Sequence, residues 1–309
     1  MKQSQIRVWL AAALTMLAVG CGGGAQVTAP ITNIDSRLAV TGEGDFEEVM
    51  AEAEAHWANR TDQAELEAAI AAWERAITLE TPGDRRTDLY PVLVSLSRAN
   101  YFLADGHIRF ASGADTEDRM KATFYQGVEW GRLAMAVNNQ EWNRALLYET
   151  PIAEAVQLTT PSDMPAMYWY STNMGKWALL DGVATILAYK DDIAAIMTRL
   201  AEMDRSFFYG ASDRYFGAYW TKLPMGNPDL ERARGHFEAA IAQEPNYFST
   251  RVLFAEEYAT RTQNRELFVE QLEYVLNTDP ATLPDVAPEN MAEQRKAQLL
   301  MDEIDEYFR

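Results

Sequence analysis

Two stretches of this chain carry side chains whose types and spacing suit holding a ligand rather than breaking a bond. In Met167-Tyr168-Trp169-Tyr170-Ser171-Thr172-Asn173-Met174-Gly175-Lys176-Trp177, the residues Trp169, Asn173 and Trp177 recur at helical spacing, with Lys176 beside them. Further on, Arg214, Tyr215 and Trp220 stand in Asp213-Arg214-Tyr215-Phe216-Gly217-Ala218-Tyr219-Trp220. Rigid aromatic surface with a few polar groups is the composition of binding sites. Lys176 and Arg214 add cations that could fix a carboxylate end near an apolar groove. The ridge from Trp169 to Trp177 also fits a second reading, a buried aromatic seam between helices, in which Lys176 is the member that packing explains least. The two cations would then only pair with neighbouring acidic side chains at the surface, each pair worth about 0–1 kcal/mol.

Catalytic chemistry has no comparable signal. His56, His107 and His236 are the three histidines and fall on separate predicted helices; none has a second histidine four residues away, as a helical zinc site needs. The chain has no G-x-S-x-G elbow, no G-x-x-x-x-G-K phosphate loop and no G-x-G-x-x-G after a strand. Glu47-Glu48 and Asp191-Asp192 read as solvated helix faces and first-turn charges that complement the helix dipole. The expectation is a protein that is not an enzyme and that holds no metal or cofactor.

One residue is suited to covalent modification. Lys2 and Arg7 give a basic start, and Val8 to Val19 is an apolar run without a charge, too short to serve as a permanent span. It ends in Leu17-Ala18-Val19-Gly20-Cys21, which resembles the bacterial lipobox, so residues 1–20 read as a signal peptide and Cys21 as a diacylated new N-terminus. The alternative is a plain signal peptide with an incidental cysteine, but Cys21 is the chain's sole cysteine and is followed by Gly22-Gly23-Gly24. Residues 21–44 then read as a lipid-anchored flexible linker. Gly22 stands where an aspartate would mark inner-membrane retention, so the expected place is the bacterial cell envelope, facing the periplasm from the outer membrane.

The formal charge is −19, and loss of residues 1–20 would leave 25 basic against 46 acidic side chains. Such a surface repels phosphate backbones, which argues against nucleic acid, and repels anionic lipid, so the acyl chains must supply membrane attachment. With Cys21 acylated no disulfide is available, and a chain of this length can bury a sufficient core without one.

The elements that must position these groups are helices. Residues 45–309 read as an all-α, TPR-like array of helical hairpins, an α-α superhelix. Ala233, Phe237, Ala240 and Pro245 stand at offsets of four, three and five, and Phe268, Leu272, Val275 and Pro280 repeat them thirty-five residues later. Ala69, Trp73 and Ala76 repeat the first three positions, at offsets of four and three, as do Gly127, Gly131 and Ala134, whose small size predicts close helix contact, and Ala194, Thr198 and Ala201. An amphipathic helical domain without true repeats is the competing description. Pro91 is expected in the first turn of its helix. A long connection, or a short extra helix, is expected over 138–165, a helix over 191–204, and a break at Gly210. The end, Asn290 to Phe308, reads as one amphipathic helix that caps the array.

Several stretches together resemble the T-component family of TRAP transporters, the TatT-like lipoproteins: Met167 to Gly182, Asp213 to Pro224, Ala233 to Tyr258, and Pro288 to Phe308 with its Asn290 and Lys296-Ala297. The resemblance covers most of the mature chain. It implies a lipid-anchored, periplasm-facing accessory component of a tripartite ATP-independent periplasmic transporter. Its partner would be the periplasmic solute-binding protein, its assembly a homo-oligomer, and each subunit would contain a path for a hydrophobic or organic-acid ligand. The alternative is a generic TPR scaffold lipoprotein that organises envelope assembly and touches no solute.

Overall fold

The structure is a computed structural model and describes residues 27–222 and 226–308; the predicted signal peptide and Cys21 lie outside the described residues. Within these the chain is all-α, without a strand, and no helix is long and apolar enough to cross a membrane.

Short polar side chains set the helix starts, because the first backbone N–H groups of a helix have no partner within it. Asp45 accepts from Glu48 N at the start of α2 (Phe46–Ala58), after the single turn α1 (Ile34–Arg37). Asp62 does the same for α3 (Gln63–Ile77) and Asp84 for α4 (Arg85–Phe102). The Asp84 cap places Pro91 inside α4 rather than in the first turn expected for it. α5 (Thr116–Asn138) is followed by α6 (Gln140–Leu147), capped by Asn139, and by the single turn α7 (Ile152–Ala155), so short helices occupy most of 138–165. Then come α8 (Met164–Asp181) and α9 (Val183–Met203), separated by Gly182 at φ 123°. α10 (Phe207–Lys222) and α11 (Leu230–Gln243) follow, then α12 (Phe248–Leu253), α13 (Arg265–Asn277), α14 (Ala287–Asp302) and the last turn α15 (Ile304–Tyr307).

The largest core runs from Val27 to Ala211, a second joins Phe248 to Phe308, and Ala233, Phe237, Phe254 and Tyr258 form a third. The inward positions read from the spacing are buried: Ala233, Phe237, Ala240, Phe268, Leu272 and Val275 have no exposed surface. α9 departs from that pattern. Ile193, Ile196, Met197 and Leu200 face the core in place of Ala194, Thr198 and Ala201, since the bulkier apolar side chains remove more surface from water.

Three further expectations change. The described part of the linker is packed: Val27 and Ile31 are buried, Tyr170 OH donates to Val27 O at 2.8 Å, and Asn143 bonds both the N–H and the carbonyl of Ile31. The apolar side chains at 27, 31 and 38 are what hold it there. The helix expected over 191–204 begins at Val183, because only Gly182 interrupts the helical run. The closing helix stops at Asp302 and resumes at Ile304; α14 packs on α12 and α13 and reaches back to the N-terminal half through Glu289 and Lys296.

The small residues of α5 let α8 approach. A Cβ on Gly131 would lie 2.7 Å from Tyr170 Cα, and one on Gly127 would lie 2.3 Å from Asn173 Oδ1. Backbone cannot swing aside as a side chain can. Gly131→Val is therefore expected to lower stability by about 3 kcal/mol, the upper end for overpacking, as read from the urea midpoint; an unchanged midpoint would refute the close crossing.

Candidate functional site

α8 is apolar on nearly every side, the pattern of a central helix, and it lies against α4, α5 and α9. Its start is tied down by Asp163, which accepts from Thr160 N at 2.8 Å and from Asn138 Nδ2 at 2.7 Å. Asn173 is fully buried, and its Nδ2 donates to Ser97 O at 3.0 Å and Trp169 O at 2.8 Å, a tie between helices rather than a wall for a ligand. Trp177 is buried between Tyr125 and Tyr189, with ring centroids 5.7 and 5.8 Å away. Trp169 packs on Tyr101 at 5.5 Å and Phe208 at 5.1 Å. The aromatic ridge is thus largely the buried seam.

Lys176 turns the other way. Its Nζ lies 3.3 Å from Asp105, a carboxylate that also holds Arg109 at 2.6 Å and Lys296 at 2.5 Å. Asp105 sits in a π-helical turn, Leu103–His107, which extends α4; such turns insert one residue and re-aim side chains. Burial alone would raise the Asp105 carboxyl, but Lys176, Lys296 and Arg109 beside it reverse that and hold it well below the usual carboxylate range. Burial lowers the Lys176 ammonium, which Asp105 offsets only in part. For Lys296 burial is outweighed by Asp105 and Glu293, and its pKa is raised.

The break expected at Gly210 is a left-handed turn: Phe208, Tyr209 and Gly210 have φ of 43°, 59° and 71°. Only the last is cheap, since a side chain in this region is strained. Arg214, one turn further on, donates to Tyr209 O at 3.0 Å, Phe208 O at 3.4 Å and the Tyr168 hydroxyl at 2.9 Å, and lies over the Tyr247 ring at 4.4 Å. Tyr215 stacks on Tyr219 at 5.7 Å. Trp220 faces Arg232, whose guanidinium lies 3.9 Å over its ring.

Lys176, Arg214 and Tyr215 line one cavity of about 220 Å³ between α8, α9, α10 and α12. Its walls are otherwise mainly apolar, among them Leu179, Ile186, Ile193 and Leu253, with Lys190, Lys222 and Glu257 as further charged lining groups. A second cavity, of about 150 Å³, shares Lys176, Ser249 and Leu253 with it, and one of about 20 Å³ at Trp169 shares Tyr101, Tyr247 and Ser249. A fourth, of about 330 Å³, shares Lys222 and Glu257. Asn173, Trp177 and Trp220 line none of these. The arrangement can enclose an elongated apolar molecule and meet an anionic end with a cation.

Reading the sequence missed Tyr101, Tyr247, Asp105 and Ser249, and did not single out Tyr168 within the aromatic stretch that contains it. A carboxylate at Asp105, inside an otherwise apolar helical run, was a signal available in the sequence; Tyr101 and Tyr247, from two separate segments, had none. Asn290, marked by the resemblance, accepts from Phe248 N at 3.1 Å and donates to Asn246 O at 2.9 Å, so it locks α14 to the start of α12.

No curated protein matches the chain in sequence. Residues 98–308, which contain every wall of these cavities, match the family described as the TRAP transporter T-component, TAtT. The chain belongs to the TRAP transporter T-component family.

Proposed function

We propose that this protein is a lipoprotein accessory component of a TRAP transporter, held at the outer membrane by acylated Cys21 and facing the periplasm. It docks the periplasmic solute-binding protein, assembles as a homo-oligomer, and passes a hydrophobic or organic-acid ligand through its own body. The work is binding and transfer rather than catalysis. The observation that supports this reading is the series of neighbouring cavities sharing lining residues, with Ser249 common to three of them: a scaffold has no use for such internal space, and empty space in a core is destabilising.

Ser249→Trp tests it, because a bulky side chain where the cavities meet blocks the path without touching the outer surface. The expected outcome is that ligand transfer between the protein and its solute-binding protein is lost while the two still co-purify from envelope extracts. Failure of the wild type to co-purify would overturn the reading. Cys21→Ser is expected to move the protein from the membrane to the soluble fraction, and wild-type protein recovered there without lipid would overturn the anchor.

A further inference from the structure

The first part of α9 is apolar yet lies open. Val183-Ala184-Thr185-Ile186-Leu187-Ala188-Tyr189 carries no charge, but no residue from 183 to 192 is buried; the buried positions of this helix begin at Ile193. Val183 is 64% exposed and Leu179, at the end of α8 across Gly182, 50%. Ala184 and Ala188 are exposed on the same helix face. Scattered apolar side chains at a surface need no account, whereas several together on one corner mark a surface that something covers. The acids at its edge bring their own cations: Asp181 meets Lys121 at 3.5 Å and Asp191 meets Lys190 at 2.6 Å, and burial pushes the Asp192 carboxyl up. On a protein of net charge −19 this corner is therefore among the less repulsive toward lipid.

What lies next to the corner follows from where the chain enters the fold. Val27 is fully buried. Its carbonyl accepts from Tyr170 OH at 2.8 Å, and its backbone also meets the Tyr189 hydroxyl. Tyr189 stands six residues after Val183, about 9 Å along the helix axis. Cys21 is six residues before Val27, a length that spans at most about 20 Å when fully extended, whereas a domain of this size is about 50 Å across. Acyl chains on Cys21 cannot reach round the body. They enter the bilayer beside Val27 and Tyr189, and the domain rests against the membrane there instead of standing off it.

We infer that the α8–α9 corner, with Leu179, Val183 and Leu187, is a membrane-docking surface seated in the headgroup region of the bilayer that holds Cys21. The inference rests on the acylation of Cys21 proposed above and adds which face of the domain meets lipid. A helix with an apolar face binds in this way by burying that face at the boundary of headgroups and acyl chains. Leu179 and Ile186 also line the main cavity, so the docked corner is one wall of that cavity and sets it beside the lipid.

Acylation uses the chain's sole cysteine, so an introduced cysteine takes a nitroxide label alone. Val183→Cys and, separately, Leu179→Cys are labelled in the full acylated protein and reconstituted into phosphatidylcholine vesicles, with Met291→Cys on α14, 52% exposed, as the comparison. Electron paramagnetic resonance then measures collisions with oxygen, which concentrates in lipid, and with a water-soluble nickel chelate. The oxygen-to-nickel ratio is expected to be several-fold higher at 183 and 179 than at 291 in vesicles, and alike at all three in Cys21→Ser protein free in solution. Equal ratios at the three sites in vesicles would overturn the docked face, and shielding of 183 and 179 from both reagents would assign the corner to contact with a second copy and overturn it too. Acylated protein that does not float with the vesicles would overturn the anchor and this inference together, whereas flotation with labels at 183 and 179 as aqueous as at 291 would overturn the docked face alone.

Discussion

Replacing Asp105 by asparagine is expected to destabilise the protein by about 3–5 kcal/mol, the cost of leaving buried cations without their counter-charge. The side chain of Asp105 is 5% exposed and that of Lys296 13%, so water cannot take over the missing charge. Arg109 and Lys176 are more open, which places the effect toward the lower end. The loss is expected in the urea midpoint at neutral pH, and Lys296→Met in the same chain should recover part of it, since the two side chains share one contact. A midpoint unchanged by Asp105→Asn would show that the cluster is not a structural hub.

The pH dependence has a definite sign. The Asp105 carboxyl is depressed in the folded protein, so its contribution is fully present above the unfolded carboxylate value of about 3.9 and is lost as pH falls through its folded value. The difference in stability between wild type and Asp105→Asn should therefore be constant at neutral pH and shrink only in strong acid. A difference that disappeared near pH 6 would assign it to another group.

Phe237→Ala is expected to cost about 3–5 kcal/mol, as truncation of a buried aromatic does. Phe237 is fully buried, its ring lies 4.9 Å from that of Phe254, and a Cβ on Gly217 would come within 2.7 Å of it. The glycine of α10 has made room for this ring. Ala240→Trp should also destabilise by overpacking, because Gly210 lies against Ala240, a Cβ there falling 3.1 Å from Ala240 Cα. Unchanged denaturation midpoints in both variants would contradict the inward positions assigned to this stretch.

The sequence by itself determined the elements and much of what they bury. A 3.6-residue period fixes which side chains share a face, so the burial of Ala233, Phe237 and Ala240 follows from spacing alone, and the glycines of α5 announce a close crossing because nothing else lets two backbones approach so nearly. The family was likewise legible, since helix-by-helix residue types survive in the one-dimensional pattern. The site was legible only in part. Lys176, Arg214 and Tyr215 line the main cavity, but Asn173 and Trp177, one turn apart on the same ridge, point into the core, because that side of α8 packs on α4, α5 and α9 while the side with Lys176 and Leu179 faces the cavity. What only the tertiary structure decided is charge matching. Asp105 and Lys296 are 191 residues apart in sequence and 2.5 Å apart in space, and Lys176 is drawn to the same carboxylate, whereas Arg214 meets only carbonyls and a hydroxyl. Coulomb interaction depends on distance and burial rather than on order along the chain, so which of two cations is free to meet a ligand is settled by folding and cannot be read from either residue's neighbours in sequence.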